Sequence, residues 1–123
     1  MSKKILLVDD SITTRMTHRA VISRRTPYEV VCAANGPEAL KLIPLEKPDL
    51  ILMDVMMPGM DGLEVCRRLR SIDATAKLPI VLLTFRVDDG SISDGFESGC
   101  TAYLKKPVGE ADLLGTLHQY LKD

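Results

Sequence analysis

Five short apolar runs punctuate the chain, each closed by a polar residue, and the segments between them carry the spacing of helices. The first run, Ile5-Leu6-Leu7-Val8, stops at Asp9, and residues 12–25 continue without Gly or Pro, which predicts a strand and then a helix whose apolar stripe is weak. Residues 28–34 supply a second strand. Asn35-Gly36-Pro37-Glu38 then reads as a helix start, with Asn35 as N-cap and Glu38 completing a capping box. Ala39, Leu40 and Ile43 give this helix its apolar face, and Pro44 predicts that it ends or kinks near Ile43. Residues 50–53 are uniformly apolar, the pattern of a strand buried on both faces, and they end in Asp54. Pro58, Gly59 and Gly62 turn the chain, and Asp61 is placed to cap a helix in which Gly62, Val65, Cys66 and Leu69 recur at i, i+3, i+4 and i+7. Arg67, Arg68 and Arg70 fall on the other face, expected to be solvated. Residues 79–83 form a fourth strand ending at Thr84. Residues 85–99 occupy a helix's place in the alternation but carry Gly90, Ser91, Ser93, Gly95 and Ser98; each interior Gly costs roughly 1 kcal/mol relative to Ala, so this is the weakest helix. Residues 101–104 are a short fifth strand, followed by Lys105-Lys106-Pro107 and a last helix with Leu113, Leu114, Leu117 and Leu121 on one side.

Strands alternating with helices predict a doubly wound α/β domain, because parallel neighbours need crossover connections that cover both faces of the sheet. At 123 residues the expectation is one domain spanning 1–123, with no output domain. Sixteen basic against seventeen acidic residues leave a net charge of -1, which argues against nucleic-acid or membrane binding driven by bulk charge. The apolar run after Lys3 and Lys4 is too short for a signal peptide or a spanning helix, so a cytoplasmic location is expected. Cys32, Cys66 and Cys100 are odd in number, form no local pair, and read as thiols in or near the core. His18 and His118 fall inside helices, away from the strand ends, and read as core or surface residues.

Binding sites in such sheets form at the carboxyl ends of the strands. Asp9 and Asp10 follow the first strand, Asp54 the third, Thr84 the fourth and Lys106 the fifth. Two carboxylates about 4 Å apart repel by roughly 4 kcal/mol at an effective dielectric near 20, so a cluster of three protonates or recruits a cation. All-oxygen ligation suits Mg²⁺, with Mn²⁺ as a substitute, and not zinc. A carboxylate beside a metal and a lysine is a candidate nucleophile toward phosphorus, with the Thr84 hydroxyl available to a phosphoryl oxygen.

The residues Val8-Asp9-Asp10-Ser11, Asp54 with Met57-Pro58-Gly59-Met60-Asp61-Gly62, Thr84, and Tyr103-Leu104-Lys105-Lys106-Pro107 together resemble a receiver domain of the two-component response regulators, over essentially the whole chain. The resemblance, not the pattern, implies the flavodoxin-like strand order 2-1-3-4-5 with five helices. It implies Asp54 as phosphoacceptor. It also implies Mg²⁺ held by Asp10, Asp54 and the backbone carbonyl of Met56, with Asp9 acting mainly through water. Lys106 matches the family lysine, with a cis Lys106-Pro107 bond, and Thr84 and Tyr103 match the switch pair. The implied partners are a histidine kinase or phosphotransfer protein and an unidentified downstream target, with the chain a monomer or a phosphorylation-dependent dimer. Such a domain is a signalling module that assists its own phosphorylation and dephosphorylation.

Phe85 departs from the small residue usual after the switch threonine and is expected to narrow access to Asp54 or hinder the Thr84 movement. With Met56 and Arg86 bordering the water path, slow self-dephosphorylation is expected. The glycines and serines of residues 85–99 suggest a mobile or partly unwound segment that phosphorylation would order. Two other functions compete: a receiver-like scaffold with impaired phosphorylation, and a haloacid-dehalogenase-type phosphatase. The latter wants an Asp-x-Asp pattern after the first strand, which Asp9-Asp10-Ser11-Ile12 lacks.

Overall fold

A computed structural model describes residues 2–122; Met1 and Asp123, the bounds of the expected domain, lie outside the described residues. The elements run β1 (Lys4–Val8), α1 (Ile12–Arg25), β2 (Glu29–Ala33), α2 (Gly36–Glu46), β3 (Leu50–Asp54), α3 (Gly62–Arg70), a 3-10 turn (Asp73–Thr75), β4 (Ile80–Thr84), α4 (Asp89–Glu97), β5 (Ala102–Lys105) and α5 (Glu110–Leu121). The sheet is parallel, in the order β2-β1-β3-β4-β5.

Alternation along each strand divides the core into two layers. Leu6, Val8, Ile51, Met53, Ile80 and Leu82 face Ala39, Ile43, Val65 and Leu69 of α2 and α3. Ile5, Leu7, Leu50, Leu52, Val81 and Leu83 face Ile22 of α1 and Leu113, Leu117 and Leu121 of α5. Both faces of β3 are therefore dry, which is why its sequence is continuously apolar and why every residue in it is buried. Each such Leu or Ile contributes about 1.5–3 kcal/mol, enough to hold the strand ends in fixed register.

That register assembles the polar strand ends. Val8 pairs with Met53, so Asp9 lies level with Asp54. Leu83 pairs with Asp54 and Thr84 with Lys105, which sets Thr84 one step further on and Lys106 two. Asp61 caps α3 by accepting from the Glu64 N–H at 2.9 Å, as its position predicts. Gly62 lies so close to the end of β3 that a Cβ there would stand 2.5 Å from the Asp54 carbonyl oxygen. Its N–H donates to Val55 O at 2.9 Å, pinning the loop after Asp54 to the strand it leaves.

Asn35 caps α2 as expected, accepting from Glu38 N–H at 2.8 Å, but the helix does not stop at Ile43. Pro44 lies in the last turn, where it removes one helical bond, and Lys47 closes the helix beyond it: at φ 49° its N–H donates to Ile43 O at 2.8 Å. Arg70 is not part of a solvated face. It folds under α3 and donates to Gly99 O at 2.7 Å, Thr75 O at 2.9 Å and the Thr101 hydroxyl at 3.3 Å. Arg67 and Arg68 do lie in solvent, beside Glu64. The helix after β4 forms a regular element beginning only at Asp89, with Asp88 accepting from Ser91 N–H at 2.9 Å. Gly95 has a packing reason: a Cβ there would stand 2.7 Å from the Tyr103 ring. Cys66 and Cys100 are buried and Cys32 half-buried, all as free thiols.

Candidate functional site

The carboxyl end of the sheet opens into a cavity of about 490 Å³ lined by Asp9, Asp10, Asp54, Met56, Phe85 and Lys106 and walled along one side by α1. Asp9, immediately after β1, extends the ladder by donating its N–H to Ala33 O at 3.1 Å. One of its carboxylate oxygens accepts from the Ser11 N–H at 2.9 Å and the other from Lys106 Nζ at 3.0 Å, leaving the side chain almost wholly buried. Asp54 ends β3 with its Oδ1 3.2 Å from the same Nζ and 3.4 Å from the Met56 N–H. Asp10 is exposed, and the carboxylates of Asp9, Asp10 and Asp54 each offer an oxygen within 4.8 Å of the others.

Lys106 is thus a buried cation lodged between two buried anions. The β4–β5 register carries it there: its own N–H donates to Thr84 O at 2.7 Å, and the Lys106–Pro107 peptide is cis, as the resemblance implied. Burial pushes the Asp54 carboxyl above the usual carboxylate range, the Asp9 charge adds to this, and Lys106 opposes it. For Lys106 burial works against the charge, but the hydrogen bond to Asp9 and the charges of Asp54 and Asp9 outweigh it and hold the ammonium protonated. Three carboxylates against one ammonium leave a net anionic cluster of carboxylate oxygens, which fits a hard divalent cation.

Thr84 is buried, and its hydroxyl accepts from the Arg86 N–H at 3.1 Å, while the Tyr103 hydroxyl donates to the Arg86 carbonyl at 2.7 Å. One residue's backbone therefore ties both members of the expected switch pair. Phe85 stands at the mouth, 69% exposed, its ring centroid 5.8 Å from Lys106 Nζ. It borders the cavity without sealing it. Met56, 59% exposed, also borders the cavity.

The structure corrects the placement of one residue. His18 is not remote from the strand ends: it is buried, lines this cavity from α1, and keeps its ring neutral because burial lowers its proton affinity more than the Asp9 charge restores it. Its helical spacing from Ile22, the other buried residue of α1, was the signal available in the sequence.

The sheet order and the acidic strand-end pocket closed by a lysine define a flavodoxin-like, doubly wound domain built around an anionic site. Within that class the chain belongs to the response regulator receiver domain family, whose model matches residues 5–118. It is 45% identical over 104 residues to the transcriptional regulatory protein AfsQ1 of Streptomyces coelicolor, covering 85% of this chain and 44% of that protein. Among solved structures, the Vibrio cholerae chemotaxis protein CheY4 superposes with a TM-score of 0.92 at 34% identity, covering 98% of this chain and 99% of that one. The receiver domain of the Pseudomonas aeruginosa sensor histidine kinase PA1611, which holds a magnesium ion in its active-site cleft, superposes at 0.90 with 28% identity and full coverage of both chains. The chain spans from a quarter to about half of the length of the curated relatives it matches. Receiver domains of this family are signalling modules of two-component systems, phosphorylated on an aspartate with Mg²⁺. No helix among the described residues is long and apolar enough to cross a membrane.

Proposed function

We propose that Asp54 is the phosphoacceptor of this domain, taking a phosphoryl group from a histidine kinase or phosphotransfer protein and thereby changing the affinity of the domain for a downstream protein. The observation that carries the assignment is the position of Lys106 Nζ, 3.0 Å from Asp9 and 3.2 Å from Asp54, with Asp10 completing an oxygen cluster within 4.8 Å.

Asp54, Asp10 and the backbone carbonyl of Met56 would hold Mg²⁺, or Mn²⁺ in its place, and Asp9 would act through a bound water. The metal supplies charge neutralisation at the phosphoryl oxygens. The rest is the work of the chain's own residues. An Asp54 oxygen attacks phosphorus as the bond to the donor's leaving group breaks and that group departs with the electron pair. Lys106 lies beside Asp54 and neutralises a second phosphoryl oxygen, and the Thr84 hydroxyl turns from Arg86 to donate to a third. Asp54 and Asp9 are themselves buried, so these charges act on preorganised carboxylates at short range.

Incubation with Mg²⁺ and acetyl phosphate tests the assignment. A mass increase of one phosphate, absent in Asp54→Ala, is the expected result. Turnover of phosphoesters would instead support the phosphatase reading, and absence of labelling in the intact protein the scaffold reading.

A further inference from the structure

His18 makes no hydrogen bond among the described residues. The residue is only 7% exposed, and Nδ1 of its ring is fully sealed without a partner. A buried polar atom left unpaired is costly and calls for a reason. The ring lines the same cavity as Asp54 and Lys106, on the α1 side together with Thr13, Thr14 and Thr17.

The cavity is also larger than the phosphoryl chemistry requires. Its volume of about 490 Å³ compares with the ~30 Å³ that each water occupies in the liquid, whereas a phosphoryl group and a partly hydrated cation fill on the order of six to eight such volumes. About half of the space, along α1, remains for what the phosphoryl group arrives on.

The tautomer follows from the sealed atom. An unpaired acceptor is tolerated more readily than an unpaired N–H, so the sealed Nδ1 carries the lone pair and the proton resides on Nε2, the nitrogen left to serve the cavity. The charges facing the ring are Asp9 and Lys106; they act in opposite directions, and burial keeps the imidazole neutral, a hydrogen-bond donor that does not compete with the cation for the carboxylates.

We propose that His18 is a donor-binding residue: its Nε2–H hydrogen bonds to the leaving group of the phosphodonor, an acyl oxygen or an imidazole nitrogen, as that group departs from phosphorus. The inference rests on Asp54 being the phosphoacceptor. In the step, the new P–O bond to Asp54 forms while the P–O bond of an acyl phosphate, or the P–N bond of an N-phosphoryl imidazole, breaks. The leaving atom retains the electron pair, and His18 contributes a hydrogen bond without transferring its proton. Once the donor has left, His18 has no part in hydrolysis of the phosphoaspartate, where Asp54 itself is the leaving group.

This asymmetry makes the test specific. With acetyl phosphate and Mg²⁺, His18→Phe preserves the ring's shape and removes both nitrogens, and is expected to lower kcat/KM for phosphorylation about tenfold, the scale of one hydrogen bond to a charged group. His18→Gln, whose amide N–H reaches to the Nε2 position, is expected to restore most of the rate, and His18→Asn, which mimics Nδ1, is not. The rate of phospho-Asp54 hydrolysis is expected to be unchanged in all three. Equal phosphorylation by His18→Phe and the parent, equal rescue by Asn and Gln, or a parallel fall in the hydrolysis rate would each overturn the proposal. Failure of the parent to be phosphorylated at Asp54 would instead overturn the assignment on which it rests.

Discussion

Asp10→Asn isolates the electrostatic cost that the pocket carries without its metal. At 4.8 Å two unit charges repel by about 3.5 kcal/mol at an effective dielectric of 20 and about 0.9 kcal/mol in bulk water. Asp10 is exposed, so the lower figure governs each of its two interactions, with Asp9 and Asp54, and the lost attraction to Lys106 removes part of the sum. Neutralising Asp10 should therefore stabilise the metal-free fold by about 1 kcal/mol, a rise in Tm of about 3–5 °C for a domain of this size. The order should reverse with Mg²⁺. A ligand at a hundred times its Kd contributes about 2.7 kcal/mol to the parent, and the variant, lacking one of the proposed ligands, should lose most of that gain. Urea unfolding followed by circular dichroism, once in EDTA and once in excess MgCl₂, measures both quantities. A variant less stable than the parent in EDTA would refute the repulsion argument, and an undiminished response to Mg²⁺ would remove Asp10 from the metal site.

Lys106→Met leaves Asp9 and Asp54 buried without their cation, so stability at pH 7 should fall by about 3 kcal/mol in urea unfolding and recover in part toward pH 5 as the carboxyls protonate. His18 has a folded-state proton affinity below its ordinary value near 6.5, so the unfolded chain takes up the proton first; the stability this residue contributes is complete above pH 6.5 and is lost as pH falls below it. His18→Leu should abolish that component of the pH profile and add about 1 kcal/mol at neutral pH. Gly95→Ala, a change that favours an exposed helix by about 1 kcal/mol, should here destabilise by about 1–2 kcal/mol in thermal unfolding, because the new Cβ would fall 2.7 Å from the Tyr103 ring. Phe85→Ala and Met56→Ala each trim a side chain bordering the cavity, and each should shorten the lifetime of phospho-Asp54 several-fold in a radiolabel chase; unchanged lifetimes would show that neither side chain screens the attacking water.

The strand ends were legible because the physics that places them is short-ranged and repeated. A run buried on both faces must be apolar throughout, so the residue at which polarity returns marks the end of the strand, and Asp9, Asp54 and Thr84 could be located without knowing how the strands pair. The caps at Asn35 and Asp61 were equally local. What escaped depends on groups far apart in the chain. Arg70 resembles its neighbours Arg67 and Arg68 in sequence, and only the approach of residues 99–101 supplies the carbonyl and hydroxyl partners that draw it inward. Pro44 was expected to end or kink the helix because its missing bond is a local fact, while the closure by Lys47, which lets the helix run on to Glu46, is a backbone conformation. His18 was set aside because distance along α1 was mistaken for distance from the site; the helix packs on one face of the sheet, and its first two turns, from Thr13 to His18, line the cavity at the strand ends.

The same dependence on tertiary contact explains how an event at Asp54 can reach α4. Thr84 and Tyr103 stand on neighbouring strands and share the backbone of Arg86, which donates its N–H to one hydroxyl and lends its carbonyl to the other. On the proposed assignment, a phosphoryl group on Asp54 would add about -1.5 to -2 charges near Thr84 and would draw its hydroxyl toward Asp54. A movement of Thr84 that carries the Arg86 N–H with it would displace the residue whose carbonyl anchors Tyr103. The Tyr103 ring lies against Gly95 with no space for a methyl group between them, so it cannot move without changing its contact with α4. Glycine in this helix costs local stability and permits that contact. The helix that reads as weakest in the sequence is therefore the one packed against Tyr103 of the proposed switch pair.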